Sequence, residues 1–364
     1  MKYYSLKEIK KKKAQYNVIF GERSNGKTYA ILAEILQKFI DTGEQGALIR
    51  RMQEDFRGAN SAKTSFDGIN KSGLVSKLTH GNYDRIVYDA GAFFLARPDE
   101  ENEGKVVKHN IPVVVAFWLT GAEHIKSSNH DNITTIFFDE MLARRGYLPD
   151  EWGLFTSVIS TIVRNRNNVT IYMVGNTVTK YCPYFAEMGL TRAKTMPEGH
   201  IDVYEYGESG LRVAVERTAH DPAGKDSDVY FAFNNSPRLA MITQGGWEME
   251  MYPHCPVKHR KEDVGFSFFI IFDGETLQAD VVNKDGSRFL FIHRKTSPIK
   301  NEDRDLVYQQ DNSHKPNYRR KLSQDRSTIG RKLYEFFLTE KVFYQDNEVG
   351  EIIRNYLIWS DSDK

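Results

Sequence analysis

Gly21-Glu22-Arg23-Ser24-Asn25-Gly26-Lys27-Thr28 matches the P-loop (Walker A) pattern GxxxxGK[ST] in full. It follows the apolar run Tyr16 to Phe20, which reads as a buried strand. It opens a segment, Tyr29 to Ile40, whose apolar residues recur at helical spacing. Strand, loop and helix in that order are the setting the motif needs. Glycines let the backbone close around phosphate oxygens, so that amide N–H groups and the positive helix end face the anion. All eight residues are therefore expected to bind nucleotide. Lys27 should reach the β- and γ-phosphates, and Thr28 should ligate Mg²⁺ through its hydroxyl. ATP and Mg²⁺ are the expected ligands.

A second element fits this reading. Thr135-Ile136-Phe137-Phe138-Asp139-Glu140 is an apolar strand ending in two acids, the Walker B layout. Asp139 would hold the metal and Glu140 would activate the attacking water. Two carboxylates beside a phosphate-binding loop repel unless a cation lies near them, which is what a metal role supplies. An amphipathic helix is predicted over Trp152 to Val163, ending at Arg164-Asn165-Arg166 before the strand Val169 to Val174. Arg164 fits either a group that stabilises charge on a transferring phosphoryl or a surface cation at a helix C-terminus. Asn176, just past the strand, fits either a γ-phosphate sensor or a turn residue.

Composition bounds the rest. At 364 residues the chain exceeds the usual single-domain size, and 40% hydrophobic content supports two packed cores. Lys+Arg 50 against Asp+Glu 49 leaves a formal charge of +1, so any nucleic-acid surface must be local. Its candidates are Arg57 and Lys63 in a polar, loop-like stretch, Arg144 and Arg145 after the Walker B strand, and Arg319, Arg320 and Lys321 in a basic run near the end. Cys182 and Cys255 make no CxxC pair and read as packed thiols of a reducing compartment. No apolar run approaches bilayer length, so a soluble, cytoplasmic chain without membrane contact is expected.

Residues 85–121 turn to a β pattern, with Asp99 to Lys108 as a hairpin excursion, and Lys126 follows in a polar loop. Asp221-Pro222-Ala223-Gly224 is a turn signal near which a domain boundary is placed. Beyond it the strands Gly265 to Asp273, Thr276 to Val282 and Phe289 to Ile292 are predicted, with Asp285-Gly286 as a hairpin turn. Helical pieces over Gly330 to Leu338 and Val349 to Trp359 follow.

Taken together, the chain resembles the DNA-packaging (encapsidation) ATPases of phi29-like tailed phages, which are related to large-terminase motors. The resemblance rests on the P-loop, Leu48-Ile49-Arg50-Arg51, Lys126-Ser127-Ser128-Asn129 upstream of Ile136 to Glu140, Val163-Arg164-Asn165-Arg166, and Asn176 followed by Pro183-Tyr184-Phe185. These are collinear through about the first 190 residues. Over the tail the likeness is one of strand pattern and length. The resemblance implies Glu140 as catalytic base, Arg164 as an arginine finger acting on a neighbour's ATP, Lys126 as a second trans-acting residue and Asn176 as the link from γ-phosphate to domain motion.

The expected fold is α/β. A P-loop NTPase core of the additional-strand, catalytic-glutamate type spans residues 1–215 and a connector 216–244. A small α+β domain over 245–364, which the resemblance likens to a vestigial RNase H-like nuclease, would bind nucleic acid and portal. The implied activity is ATP-driven translocation of double-stranded DNA into a preformed capsid. The implied assembly is a homo-oligomeric ring, a pentamer, at the capsid portal or connector, with an RNA scaffold as one way of joining them. The chain would work in the host cytoplasm, transiently attached to the procapsid. Two rivals stand beside this: a large-terminase-type ATPase with an active nuclease built around Asp273 and Asp280, and a nucleotide-switched assembly protein without translocation.

Overall fold

The computed structural model describes residues 3–23, 25–57, 62–122, 130–143, 147–177, 181–219, 252–255 and 257–361. Ser24, Lys126, Arg144 and Arg145, and the turn at Asp221 to Gly224, lie outside them. The chain divides into two compact units, Met1–Ala143 with Asp150–Trp247, and Arg144–Pro149 with Glu248–Lys364.

The first unit is built on β1 (Tyr16–Gly21), β2 (Gln45–Arg50), β3 (Arg85–Asp89), β4 (Ala92–Pro98), β5 (Val106–Lys108), β6 (Val114–Trp118), β7 (Ile133–Asp139), β8 (Thr170–Asn176), β9 (His200–Tyr206) and β10 (Leu211–Arg217). They form one sheet ordered β3-β4-β6-β2-β7-β8-β1-β10-β9, with β5 on β4. From β6 to β10 every pairing is parallel. Parallel strands are covered on both faces, which is why β7 is buried at all seven positions, Thr134, Thr135 and Asp139 included. β8 follows β7 in sequence yet lies between β7 and β1, which is the additional-strand arrangement expected of a catalytic-glutamate NTPase. The 99–108 excursion is the β4–β5 hairpin. β10 pairs with β1 through Arg217, so this sheet continues past the boundary expected at 215.

The P-loop helix (Lys27–Thr42) packs Ile31, Leu32, Ile35, Leu36 and Phe39 into the core, each fully or nearly buried. Each such side chain contributes roughly 1.5–3 kcal/mol of transfer free energy. The helix stops at Gly43, whose φ of 75° is the left-handed cap that glycine supplies without strain.

The second unit holds β11 (Val264–Phe272), β12 (Glu275–Lys284), β13 (Ser287–Arg294), β14 (Val307–Gln309), β15 (Tyr318–Arg319) and β16 (Val342–Tyr344), ordered β15-β14-β11-β12-β13-β16. β11 to β13 are an antiparallel meander; β14 and β16 add in parallel to its two ends, and β15 to β14. Both meander turns are Asp-Gly with positive φ at both residues, Asp273-Gly274 and Asp285-Gly286, the primed-turn geometry that matches strand twist. Asp273, expected on a strand, therefore sits in a hairpin turn. Helices Thr328–Leu338 and Asn347–Asp361 complete the unit. The first is capped by Ser327, whose hydroxyl accepts from the Gly330 N–H at 3.0 Å.

Candidate nucleotide-binding and catalytic site

The parallel sheet brings the motif residues to one edge. Register places Gly21 opposite Asn176 on β8 and Asp139 opposite Val174. Three segments far apart in sequence thus end side by side. Gly21 has φ 152°, and a Cβ there would collide with Thr218 Oγ1, so the first loop position has room only for glycine. Gly26 caps the P-loop helix in the left-handed region.

Lys27 is 4% exposed. Its ammonium donates to the Glu22 carbonyl, to Asn25 Oδ1 at 3.2 Å and to Asn176 Oδ1 at 3.5 Å. Asn25 is itself tied to Thr218 by a 2.9 Å bond. Burial pulls the Lys27 pKa down to about 8, against the pull of Asp139. A buried ammonium held by neutral oxygens, at the positive end of a helix, fits an incoming phosphate. A cleft of about 980 Å³ runs from Gly26 along the flank of the P-loop helix, lined by Tyr3, Tyr4, Tyr29 and Ala33 among others.

Asp139 ends β7 almost fully buried. Burial pushes its carboxyl up from the ordinary value, Arg50 pulls it back down and Glu140 opposes Arg50. Arg50, at the end of β2, donates to Asp139 Oδ2 at 2.7 Å and to Glu140 Oε2 at 2.9 Å. Arg50 Nε is a buried donor without a partner among the described residues. Glu140 has φ 62° and a side chain 65% exposed, so its carboxylate faces solvent while its backbone is fixed. Two clustered carboxylates, a hydroxyl at Thr28 and an orphaned guanidinium donor fit Mg²⁺ and phosphate oxygens, the groups that the P-loop implies.

The arginine pair after the Glu151–Val163 helix separates into two roles. Arg166 donates to the carbonyls of Ile162, Val163, His130, Asp131 and Ile133, and so fastens the helix end to β7. Arg164 is exposed, with φ 48° and ψ −126° at the helix C-cap, a conformation sparsely allowed for a side-chain-bearing residue. Thirteen residues separate it from the Walker B end of that helix, roughly 20 Å at 1.5 Å per residue.

The expected nucleic-acid residues that the structure describes have separate local partners. Arg57 is exposed and holds Gln53 and Glu54. Lys63 lies 5.4 Å from the Tyr88 ring centroid. Arg319 is committed inside the second unit to Asp325 and Ser327. Burial alone would raise Asp325, but hydrogen bonds from Tyr308, the Ser327 N–H and Arg319 bring it down to about 2. Arg320 and Lys321 both lie 5.5 Å from the Trp359 ring centroid. Asp280 accepts from Ser267 and Gln278 and pairs with His293, and among the described residues no three acids, histidines or cysteines gather as a metal cluster. No described helix is long and apolar enough to cross a membrane. Cys182 is buried and Cys255 half-buried.

Sequence reading gave no role to Arg50, Arg51, Glu151, Tyr184 or Thr218. The one available signal was that Arg50-Arg51 ends an apolar strand, Ala47 to Ile49.

Residues 1–205 match the family described as podovirus DNA encapsidation protein (Gp16). The DNA packaging protein of Bacillus phage PZA is 24% identical over 274 residues, covering 72% of this chain and 70% of its own. That of phage phi29 is 26% identical over 256 residues, covering 60% and 69%. The structure titled the Phi-28 gp11 DNA packaging motor aligns with a TM-score of 0.54 at 14% identity, covering 100% of this chain and 99% of that one. The phi29 viral genome packaging motor assembly aligns at 0.53 and 19% identity, covering 97% and 96%. These two likenesses extend over both units and establish the fold. With more than half of its length matched, the chain belongs to the podovirus DNA encapsidation protein (Gp16) family.

Proposed function

We propose that the chain is the ATP-hydrolysing subunit of a homo-oligomeric ring that drives double-stranded DNA through a capsid portal. The observation that carries this is the convergence of Lys27, Asn176, Asp139 and Glu140 at one sheet edge, with Arg164 at the far end of the Glu151–Val163 helix, about 20 Å from that helix's start. Lys27 binds and orients the terminal phosphates, and the tyrosine-lined cleft offers the aromatic surface on which a purine stacks. Thr28 and Asp139 would hold Mg²⁺, which would supply charge neutralisation at the phosphate oxygens. Glu140 accepts the proton of the attacking water. Asn176, in reach of Lys27, registers whether the γ-phosphate is present. Arg164 completes a neighbour's site, which makes the ring itself catalytic, and Lys126 joins it there.

DNA grip is assigned to phosphates rather than bases, because a packaging motor meets every sequence. Arg320 and Lys321 beside Trp359 are the favoured contacts in the second unit and Arg57 and Lys63 those in the first, with Arg144 and Arg145 as further candidates on sequence alone. The meander with parallel strands on its β11 side supports an RNase H-like tail without nuclease chemistry, since Asp280 is engaged by protein partners and Asp273 lies in a turn.

The test is steady-state ATPase activity with and without double-stranded DNA. Wild type should be DNA-stimulated. Lys27→Ala and Glu140→Gln should both lose the stimulated rate by 100-fold or more, on the order of 3 kcal/mol of barrier. An undiminished rate in either variant contradicts the assignment.

A further inference from the structure

Arg51 makes the densest polar contacts of any side chain at the Walker B turn. Its Nε donates to both oxygens of Glu151, at 3.0 and 2.9 Å. Its Nη1 donates to the Glu140 carbonyl and its Nη2 to the Met141 carbonyl at 2.5 Å, while the guanidinium plane lies 5.7 Å from the Phe138 ring centroid. Glu151 is 2% exposed, and its Oε1 also accepts from the Tyr184 hydroxyl at 2.7 Å. Tyr184 is wholly buried and packed edge-on to Phe138 and Phe155. Burial and the Glu151 carboxylate keep its phenol protonated, and so a donor.

This placement is unusual for two reasons. A glutamate at φ 62° is a strained choice, and such backbone persists only where its surroundings fix it. Arg51 supplies that constraint, because its fork holds the carbonyls of both Glu140 and Met141. Glu151 is also the first residue of the helix that ends at Arg164. The same ion pair therefore anchors the helix that carries the proposed trans arginine.

We propose that Arg51, seated by Glu151 and Tyr184, is the positioning residue for Glu140. It sets the direction of the Glu140 carboxylate through the backbone, and it makes that direction and the seat of the Arg164 helix one rigid arrangement. A change at either end of the helix is thereby felt at the other. The inference rests on the reading of Glu140 as the base.

Its test is a double-mutant cycle on the full chain with double-stranded DNA. Arg51→Lys keeps the charge but cannot span Glu151 and two carbonyls. It should lower kcat by roughly 10-fold or more while nucleotide affinity, read with a fluorescent ATP analogue, stays within about twofold. Tyr184→Phe, which removes one hydroxyl and keeps the ring, should lower kcat by about threefold with affinity unchanged. In a Glu140→Gln background, Arg51→Lys and Tyr184→Phe should each lower the residual rate by much less than in wild type, because the part of their effect that acts through the carboxylate is already removed and only the part carried by the Arg164 helix remains. Full additivity in that background overturns the proposal. So does an unchanged kcat in folded Tyr184→Phe, or a loss of affinity equal to the loss of rate. If Glu140→Gln alone leaves turnover intact, the base assignment fails first, and that result is distinct from these.

Discussion

Arg50 spans the two Walker B acids, 2.7 Å from Asp139 and 2.9 Å from Glu140, from a strand that ends beside theirs. Asp139 is nearly out of water, so its charge depends on that partner. Removing one member of a buried pair leaves an uncompensated charge, at a loss of roughly 3–5 kcal/mol. Arg50→Ala should therefore lower the urea midpoint strongly, and Arg50→Ala with Asp139→Asn should recover most of the loss. If the double variant is no more stable than Arg50→Ala, the pair is not what holds the turn.

The P-loop lysine should be a stability liability. Its ordinary value of 10.5 falls to about 8 in the fold, so the folded chain disfavours the charged form. The unfolded chain then binds more protons between those values, and stability of the ligand-free protein rises with pH from about 8 to 10.5. Below 8 the full penalty applies, on the order of 3 kcal/mol. Lys27→Met should thus melt higher than wild type at pH 7 without nucleotide, and should lose the rise above pH 8. A lower melting point contradicts the burial argument.

Much of the local structure that frames this site was legible in the sequence. The P-loop, the Walker B acids and the amphipathic helix are local patterns, and each formed where its spacing placed it. What stayed hidden is non-local. Nothing in Arg50-Arg51 says that one arginine takes the Walker B carboxylates and the other Glu151 and the carbonyls of Glu140 and Met141, because that depends on β2 pairing with β7. The division between Arg164 and Arg166 was hidden for the same reason, since Arg166 reaches carbonyls more than thirty residues upstream. Asp273 misled because Asp-Gly ends one strand and begins a turn with no break in the apolar run before it.

Arg164 and Arg166 should part in mutagenesis. Arg166→Ala removes five carbonyl contacts and should destabilise the first unit by ~2 kcal/mol or more. Arg164→Gly relieves a backbone of φ 48° and ψ −126° and should stabilise by ~1 kcal/mol while abolishing DNA-stimulated turnover. Differential scanning of the two purified proteins checks both. Equal destabilisation would show that Arg164 is structural.

The second unit should titrate near neutrality. The hydrogen bond from His293 to Asp280 raises the histidine above its ordinary 6.5, with burial acting the other way, and the same pair lowers Asp280. A raised folded pKa contributes stability that is complete below 6.5 and is lost as pH rises through the folded value. The melting temperature should fall by a few degrees across that range, and His293→Gln should flatten the profile. A His293 signal titrating below 6.5 by NMR would contradict the pairing.

The central claim is that subunits share active sites around a ring. It is tested by titrating Glu140→Gln, and separately Arg164→Ala, into wild type at constant total protein and measuring DNA-stimulated ATP hydrolysis. Shared sites predict a steep loss, with activity well below the wild-type fraction as soon as mixed rings form. A strictly linear decline for both variants would mean that each subunit hydrolyses alone, and Arg164 would then have no trans role.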